Sequence, residues 1–220
     1  MPHTHEPKQG VRPYQGLFST YETLVSGADR AFQRMVARYP ACIPCTRRCS
    51  DCCHAVFGLF VIEAAYLQER FMKLARKTRR AATLRGKKAQ NQILSLQKSL
   101  QGAAPLKETV DPLSLARLRC PLLDDRGTCM LYPDRPITCR VYGIPTLIRG
   151  KVRVCGKTGF EAGRSYPVFN LDKINAELYR LSRAFLGSLP KADPGKADLI
   201  LSVSTVLETP IEKIVEDSFS

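Results

Sequence analysis

Nine cysteines lie in two blocks of this 220-residue chain, and they constrain its structure more than any other feature. The first block, CIPCTRRCSDCC, holds five thiols within residues 42–53, namely Cys42, Cys45, Cys49, Cys52 and Cys53. The second block spreads four thiols over residues 120–155, namely Cys120, Cys129, Cys139 and Cys155. Gaps of two residues let a loop return two thiolates to one metal, which is typical of zinc and iron–sulfur sites. The pattern therefore predicts that the blocks bind metal.

A disulfide scaffold is the main alternative interpretation of so many cysteines. We expect the protein to be cytoplasmic, because residues 1–10 lack the basic-then-apolar pattern of a secretory signal. The longest apolar run, Ala55 to Ile62, is too short to span a membrane. In a reducing compartment clustered cysteines more often bind metal or do redox chemistry than form disulfides, and an odd number cannot pair completely. Metal binding is therefore preferred, both over disulfides and over small buried residues without a further role.

Thiolates are soft, charged donors that suit zinc ions and iron–sulfur clusters rather than magnesium or calcium. Nearby positive charge helps to keep thiols deprotonated, and five arginines lie close to them in sequence: Arg47, Arg48, Arg119, Arg135 and Arg140. The side chains of adjacent Cys52 and Cys53 diverge on either a helix or a strand, which indicates more than one ligand set. Either a cluster with several metals or two adjacent metal sites would provide more than one ligand set. His54 is expected to pack or to form a hydrogen bond rather than to bind metal.

Several short motifs in the two blocks occur together in a known family. They are Cys49-Ser-Asp-Cys52-Cys53, Cys120-Pro-Leu-Leu, Gly127-Thr-Cys129, Tyr132 and Arg135-Pro-Ile-Thr-Cys139-Arg140. This combination, over roughly residues 42–156, resembles the YkgJ-type cysteine-cluster family, whose members are described as zinc- or iron-chelating. The resemblance implies metal chelation and no particular reaction. Cys45 lies one residue further from Cys49 than the family spacing, so Cys42 is an alternative first ligand.

We predict a metal site built from eight thiolates: Cys45, Cys49, Cys52, Cys53, Cys120, Cys129, Cys139 and Cys155. The bound group is zinc or an iron–sulfur cluster, of which a 4Fe-4S cluster is one form. Spacing does not separate the two, because four thiolates suit both. The predicted role is structural, chelating or electron-transferring.

An enzyme is the alternative function. Cys45, Cys49 and Cys52 also fit the CxxxCxxC spacing of radical S-adenosylmethionine enzymes, in which three thiolates leave one iron open to the cofactor. However, Asp51 occupies a position that is usually aromatic, no strand–helix repeat follows, and the second block would have no role. Distant cysteine-cluster proteins suggest a link to protein lysine methylation. The sequence contains no glycine-rich cofactor loop that would support this link. The pattern favours a binding protein, and an iron–sulfur oxidoreductase or radical-type enzyme stays open.

Positive charge is concentrated in one segment of the chain. Residues 70–107 contain eleven Lys or Arg and no Asp or Glu, in a chain whose net charge is +14. A solvated helix face usually mixes both signs, so the segment predicts a nucleic acid or an acidic protein partner. An anionic membrane surface is a weaker candidate, because the apolar side of this segment is better buried in the core.

The predicted fold class is α+β, mainly helical with short strands and an irregular cysteine-ligated metal core. Apolar residues at helical spacing predict helices over residues 18–39, from 63 to about 101, and from the N-cap Asn170 to Gly187. An IRGK turn predicts a hairpin within residues 144–155. Residues 199–207 alternate like a strand, and Thr209-Pro-Ile-Glu reads as a capping box that opens a final helix.

The chain is predicted to have three parts. Residues 1–16 are a flexible N-terminus. Residues 17–189 form a single cysteine-cluster metal-binding domain, which includes a basic helical segment at residues 63–101. Residues 190–220 form a linker, a short strand and a C-terminal helix.

Overall fold

Helices dominate the structure, as the spacing of apolar residues predicts. The computed structural model describes residues 13–46, 48–101 and 116–216. Its α-helices are α1 (Gln15–Arg38), α2 (Val61–Met72), α3 (Arg76–Gln101), α4 (Ile137–Val141), α5 (Leu171–Gly187), α6 (Val203–Glu208) and α7 (Ile211–Val215). Short 3₁₀ turns cover Pro40–Cys42, Asp51–His54, Tyr132–Asp134 and Pro194–Asp198. With one small sheet, the protein framework confirms the predicted mainly helical α+β class.

The core forms where α1, α2 and α5 pack together. Helix α2 is apolar nearly all round, so its residues 61–67 are buried. Helix α1 presents a narrower stripe, and its buried residues are Phe18, Tyr21, Ala28 and Met35. The ring centroid of Phe18 lies 5.4 Å from that of Tyr66 on α2 and 6.3 Å from that of Phe185 on α5. Aromatic packing therefore joins the three helices at one end of α1.

The sheet has three short strands in the order β2-β1-β3. Strand β1 (Thr146–Ile148) pairs antiparallel with β2 (Lys151–Arg153) and parallel with β3 (Phe169–Asn170). Between β1 and β2, Arg149 and Gly150 both have positive φ, at 51° and 70°, as a tight two-residue hairpin turn requires. The carboxylate of Asp172 accepts hydrogen bonds from both backbone amides, at 2.8 and 3.0 Å. The hairpin prediction is confirmed.

The predicted strand at residues 199–207 is wrong. Leu201 forms only an isolated antiparallel bridge with Leu59, and α6 begins two residues later. The Ser202 hydroxyl caps this helix by accepting a hydrogen bond from the Thr205 amide at 3.0 Å. The alternation was misleading because Val206 and Leu207 reach the core from a short helix as well as they would from a strand.

The final helix α7 is confirmed, but the capping box predicted at Thr209 is wrong. Pro210 is the N-cap residue, and no side chain caps the helix locally. The Ile211 amide donates instead to Oε1 of Gln68 on α2, at 2.8 Å. Residues 190–216 also supply Ala197, Ile211 and Val215 to the core.

The three-part division of the chain stays a prediction, because residues 1–12 and 217–220 lie outside the described structure. Among the helices that the structure describes, none is long and apolar enough to cross a bilayer.

Candidate metal centre

Backbone pairing between two distant segments brings the cysteine blocks together. The 3₁₀ turn Asp51–His54 carries Cys52 and Cys53 at the end of the first block. The Cys120 amide donates to the Cys53 carbonyl at 2.7 Å, and the Leu118 amide donates to the His54 carbonyl at 3.0 Å. An antiparallel bridge between Ala55 and Arg117 extends this pairing. As a result, the double cysteine lies beside the first cysteine of the second block.

A tight loop returns Cys129 to the neighbourhood of Cys120. Leu123 and Cys129 form an antiparallel bridge. Inside the loop, one carboxylate oxygen of Asp124 accepts from the amides of Arg126 and Thr128 at 3.0 and 2.8 Å. Gly127 has a φ of 74°, a left-handed conformation that favours glycine. The DDRG sequence thus builds the turn that positions a thiol.

Cys139 is placed by α4, which packs against α1. The guanidinium of the next residue, Arg140, is buried, and its Nη1 lies 2.6 Å from the Asp29 carboxylate of α1. It also donates to the backbone carbonyls of Arg135, at 2.8 Å, and Pro133. These contacts clamp α4 to the framework, so Arg140 serves α4 rather than the thiols.

The buried carboxyl group of Glu63 holds the same helix from the core side. It accepts hydrogen bonds from the Tyr21 hydroxyl at 3.3 Å and from the Ile137 amide, the first of α4, at 3.1 Å. Burial raises the pKa of Glu63 to about 7, although both hydrogen bonds favour the ionised form. The helix that carries Cys139 therefore begins on a titratable buried group.

The thiols fall into two interacting groups. In the first group, the Cys45 thiol interacts electrostatically with the thiols of Cys49 and Cys155. In the second group, the Cys53 thiol interacts with those of Cys129 and Cys120, and also with that of Cys52. The members of the first group are Cys45, Cys49 and Cys155. The members of the second group are Cys53, Cys120, Cys129 and Cys139.

Cys52 interacts with both groups, since its charge raises the pKa of Cys45 in one and of Cys139 in the other. Electrostatic interactions therefore extend across the eight thiols that the sequence selects. The Cys42 thiol is not among these interactions within the described structure, and the Cys42 carbonyl accepts from the Gly159 amide at 2.9 Å.

The pKa values of the thiols diverge because their surroundings differ. The neighbouring Cys53 thiol lowers the pKa of Cys52 to about 7, and it also lowers the pKa of Cys129. Burial raises the pKa of Cys120 to about 12 and those of Cys45 and Cys155 to about 11. Thiolate character is therefore concentrated at Cys52, which interacts with both groups, and at Cys129 in the second group.

Five arginines were predicted to favour the deprotonated thiols, and Arg135 has this effect in the structure. Its charge helps to lower the pKa of both Cys52 and Cys129. Its guanidinium carbon lies 3.9 Å from the centroid of the Tyr132 ring, and its buried Nε has no hydrogen-bond partner in the described structure. A buried donor without a partner is costly, so this position fits a neighbouring centre of negative charge.

The other predicted arginines have different places. Arg119 donates to the carbonyls of Leu123 and Asp124 at 3.1 and 2.7 Å, which stiffens the DDRG loop. Arg48 is exposed, and Arg47 lies outside the described residues. Nδ1 of His54 lies 3.0 Å from the Ser50 carbonyl, in the hydrogen-bonding role expected for it.

Asp51 was missed by the sequence reasoning as a site residue, although it stands between Cys49 and Cys52. Cys155 Sγ donates to its Oδ2 at 3.2 Å, while Nη2 of Arg117 lies 2.7 Å from Oδ1. Burial alone would raise the pKa of Asp51, but these two hydrogen bonds outweigh burial and lower it. The carboxylate therefore ties the last cysteine to the first block.

Gly143 lies four residues after Cys139, and its role is steric. A Cβ at this position would overlap Sγ of Cys45 and would lie 3.4 Å from the Phe32 ring. Only a residue without a side chain lets the Cys45 thiol lie here.

The arrangement is one of converging free thiols. None of the nine cysteines is disulfide-bonded. Among the described residues, no group of three or more Cys, His, Asp or Glu side chains has the geometry to hold a metal ion. The individual ligand assignments therefore stay predictions, while the donor chemistry and the orphaned Arg135 Nε fit a thiolate-bound metal.

Fold and site together define a mainly helical framework that carries a thiol-rich centre. The chain matches the model of the CxxCxxCC family, described as a "putative zinc- or iron-chelating domain", over residues 44–156. Because the match covers about half of the 220 residues, the chain belongs to this family, which confirms the cysteine-cluster resemblance. No curated protein and no solved structure matches the chain.

Proposed function

We propose that the two cysteine blocks jointly bind zinc or an iron–sulfur cluster. The observation that carries this proposal is the backbone pairing between the blocks, in which the Cys120 amide donates to the Cys53 carbonyl at 2.7 Å. Thiols from loops so far apart in the chain have little reason to meet in a reducing compartment unless they share a ligand. Membership of a zinc- or iron-chelating family supports the same conclusion.

The ligands are the eight interacting thiols, with Cys45 rather than Cys42 as the first. Cys45 is favoured by its electrostatic interaction with Cys49 and by the family match, which begins at residue 44. Three thiols in one group, four in the other and the shared Cys52 are enough for two four-thiolate positions or for one centre with several metals. Binding requires the thiol protons to leave, so uptake of metal releases protons.

The role is structural, chelating or electron-transferring. Bound zinc would crosslink the two blocks without redox activity, whereas an iron–sulfur cluster would supply one-electron transfer. The chain's own residues do the rest: Arg135 balances negative charge, Arg140 and Glu63 hold α4, and Asp51 holds Cys155. Nine free thiols suit a reducing compartment, so we place the protein in the cytoplasm.

Anaerobic purification, elemental analysis and a visible spectrum test the proposal. An iron–sulfur cluster gives iron, sulfide and a brown colour, while a colourless protein with zinc removes the electron-transfer role. We expect Cys129→Ser and Cys139→Ser to lose bound metal.

Cys42→Ser is the matched control, because it removes a thiol outside the interacting set and should keep the full metal content. Full metal content in Cys129→Ser would contradict joint binding. That result would instead favour the radical-enzyme alternative, in which the metal depends on Cys45, Cys49 and Cys52 alone.

A further inference from the structure

Helix α3 has one face committed to the fold and one face that is not. Its inner face packs on α6, where Ala82, Gly86 and Ala89 are buried. A Cβ at Gly86 would lie 3.3 Å from Oε1 of Glu208 and 3.7 Å from Cα of Ser204, so small residues allow a close approach. On the opposite face, which we call the outer face, the side chains of Arg80, Leu84 and Lys87 are exposed.

The outer face is strongly basic. Its exposed charged residues are Arg76, Lys77, Arg80, Lys87, Lys88 and Lys98. Residues 76–101 contain no Asp or Glu, and none of these six side chains forms an ion pair with another described residue. At 1.5 Å per residue, the charges extend over about 33 Å of helix. Such a row of uncompensated charge favours an anionic partner.

Two leucines interrupt the basic face. The exposed fractions of Leu84 and Leu94 are 55% and 46%. Residues that follow one another at three- and four-residue spacing share a helix face. The resulting stripe is Arg80, Leu84, Lys87, Asn91, Leu94 and Lys98. The outer face therefore offers apolar contact as well as positive charge. Neither the leucines nor the basic residues of this face contribute to the core.

We propose that the outer face of α3 binds an acidic amphipathic helix of a protein partner. Such a helix carries carboxylates beside apolar residues. Its carboxylates form ion pairs with the basic side chains, and its apolar residues cover Leu84 and Leu94. A nucleic acid uses the charge but leaves the leucines exposed to water, since its backbone presents phosphate and sugar. Residues 76–101 also contain no aromatic residue on which a base could stack. This inference does not depend on the metal centre.

The experiment measures fluorescence anisotropy with the full chain and a labelled synthetic helical peptide, with leucines along one face and glutamates beside them. We expect binding on the order of micromolar. Leu84→Ser with Leu94→Ser should weaken it about tenfold, since both leucines lose burial but every charge stays. Lys87→Glu with Lys88→Glu should weaken it at least as much. Lys151→Glu with Lys173→Glu makes the same charge change at exposed sites outside α3 and should leave affinity unchanged.

A duplex RNA of similar charge serves as the second probe at the same ionic strength. Weaker RNA binding that is insensitive to the leucine substitutions supports the proposal. Tighter binding of RNA than of peptide overturns it in favour of nucleic acid. Peptide binding that survives loss of both leucines, or no saturable binding, also overturns it. Circular dichroism of each variant verifies that the exposed substitutions leave the fold intact.

Discussion

The three-helix core and the thiol region are held together by different forces. In the core, α1, α2 and α5 bury Phe18, Leu67 and Phe185 almost completely. The thiol region, residues 42–55 and 116–155, buries fewer apolar residues in that core and adds isolated bridges, tight turns and polar clamps. Apolar burial needs no ligand to be favourable, whereas thiols crowded together at the end of long loops gain little from one another. We therefore expect the thiol region to depend on bound metal more than the three-helix core does.

Metal removal should show the largest difference between the thiol region and the three-helix core. Structural zinc sites contribute about 10–16 kcal/mol of apparent binding free energy in small zinc-finger peptides, so chelation removes a large term from the thiol region. Hydrogen exchange should accelerate by orders of magnitude at Cys53 to Ala55 and at Leu118 to Cys129. Exchange in residues 61–67 of α2 should change much less. Equal acceleration in both regions would show that the core depends on the metal as well.

Arg140→Ala tests the clamp between the two regions. Removal of the buried guanidinium leaves the partly exposed Asp29 carboxylate and two backbone carbonyls without their donor, at a cost of about 3 kcal/mol in the free energy of unfolding. Urea denaturation measures this change. Arg180→Ala is the control, because its ion pair with Glu177 is exposed and should contribute less than about 1 kcal/mol.

Glu63 predicts a pH dependence of stability. Its pKa is raised from 4.5 in the unfolded chain to about 7 in the folded protein, because the carboxyl group is buried. Its contribution is complete below pH 4.5 and is lost as the pH rises to about 7, where the folded protein must ionise a buried group. The shift corresponds to about 3 kcal/mol.

Glu63→Gln isolates this effect, because it keeps the shape of the side chain and removes its titration. The difference in unfolding free energy between wild type and variant should change between pH 4.5 and 7, with wild type losing stability as the pH rises. A difference that does not vary with pH would mean that Glu63 does not titrate in this interval.

Gly143→Ala should perturb the thiol region without disturbing the three-helix core. The added methyl group must displace Cys45, so metal affinity should fall by about tenfold, as for groups that position ligands, with little effect on the core. Competition with a chromophoric chelator measures the affinity. Gly156→Ala is the matched control, since a Cβ there meets no atom within 4 Å. Equal affinities in the two variants would argue against Cys45 as a ligand.

Local patterns predicted much of the framework. The stripe on α1, the Asn170 cap of α5 and the turn at Arg149 and Gly150 depend on residues near in sequence, and all were predicted. The strand predicted at residues 199–207 was wrong, because these residues are placed by contacts with Leu59 and α3 rather than by local preference. The cap of α7 failed for the same reason, since its partner, Gln68, lies on another helix.

By itself, the sequence determined the number and spacing of the thiols, the excess of positive charge and the family, because these depend on residue type and position along the chain. Only the tertiary structure decided which thiols adjoin, that Arg135 rather than Arg140 acts on them, and which face of α3 is left open. Those outcomes depend on the packing of α4 against α1 and of α3 against α6. Such packing joins residues that are distant in the chain, and local spacing does not encode its geometry.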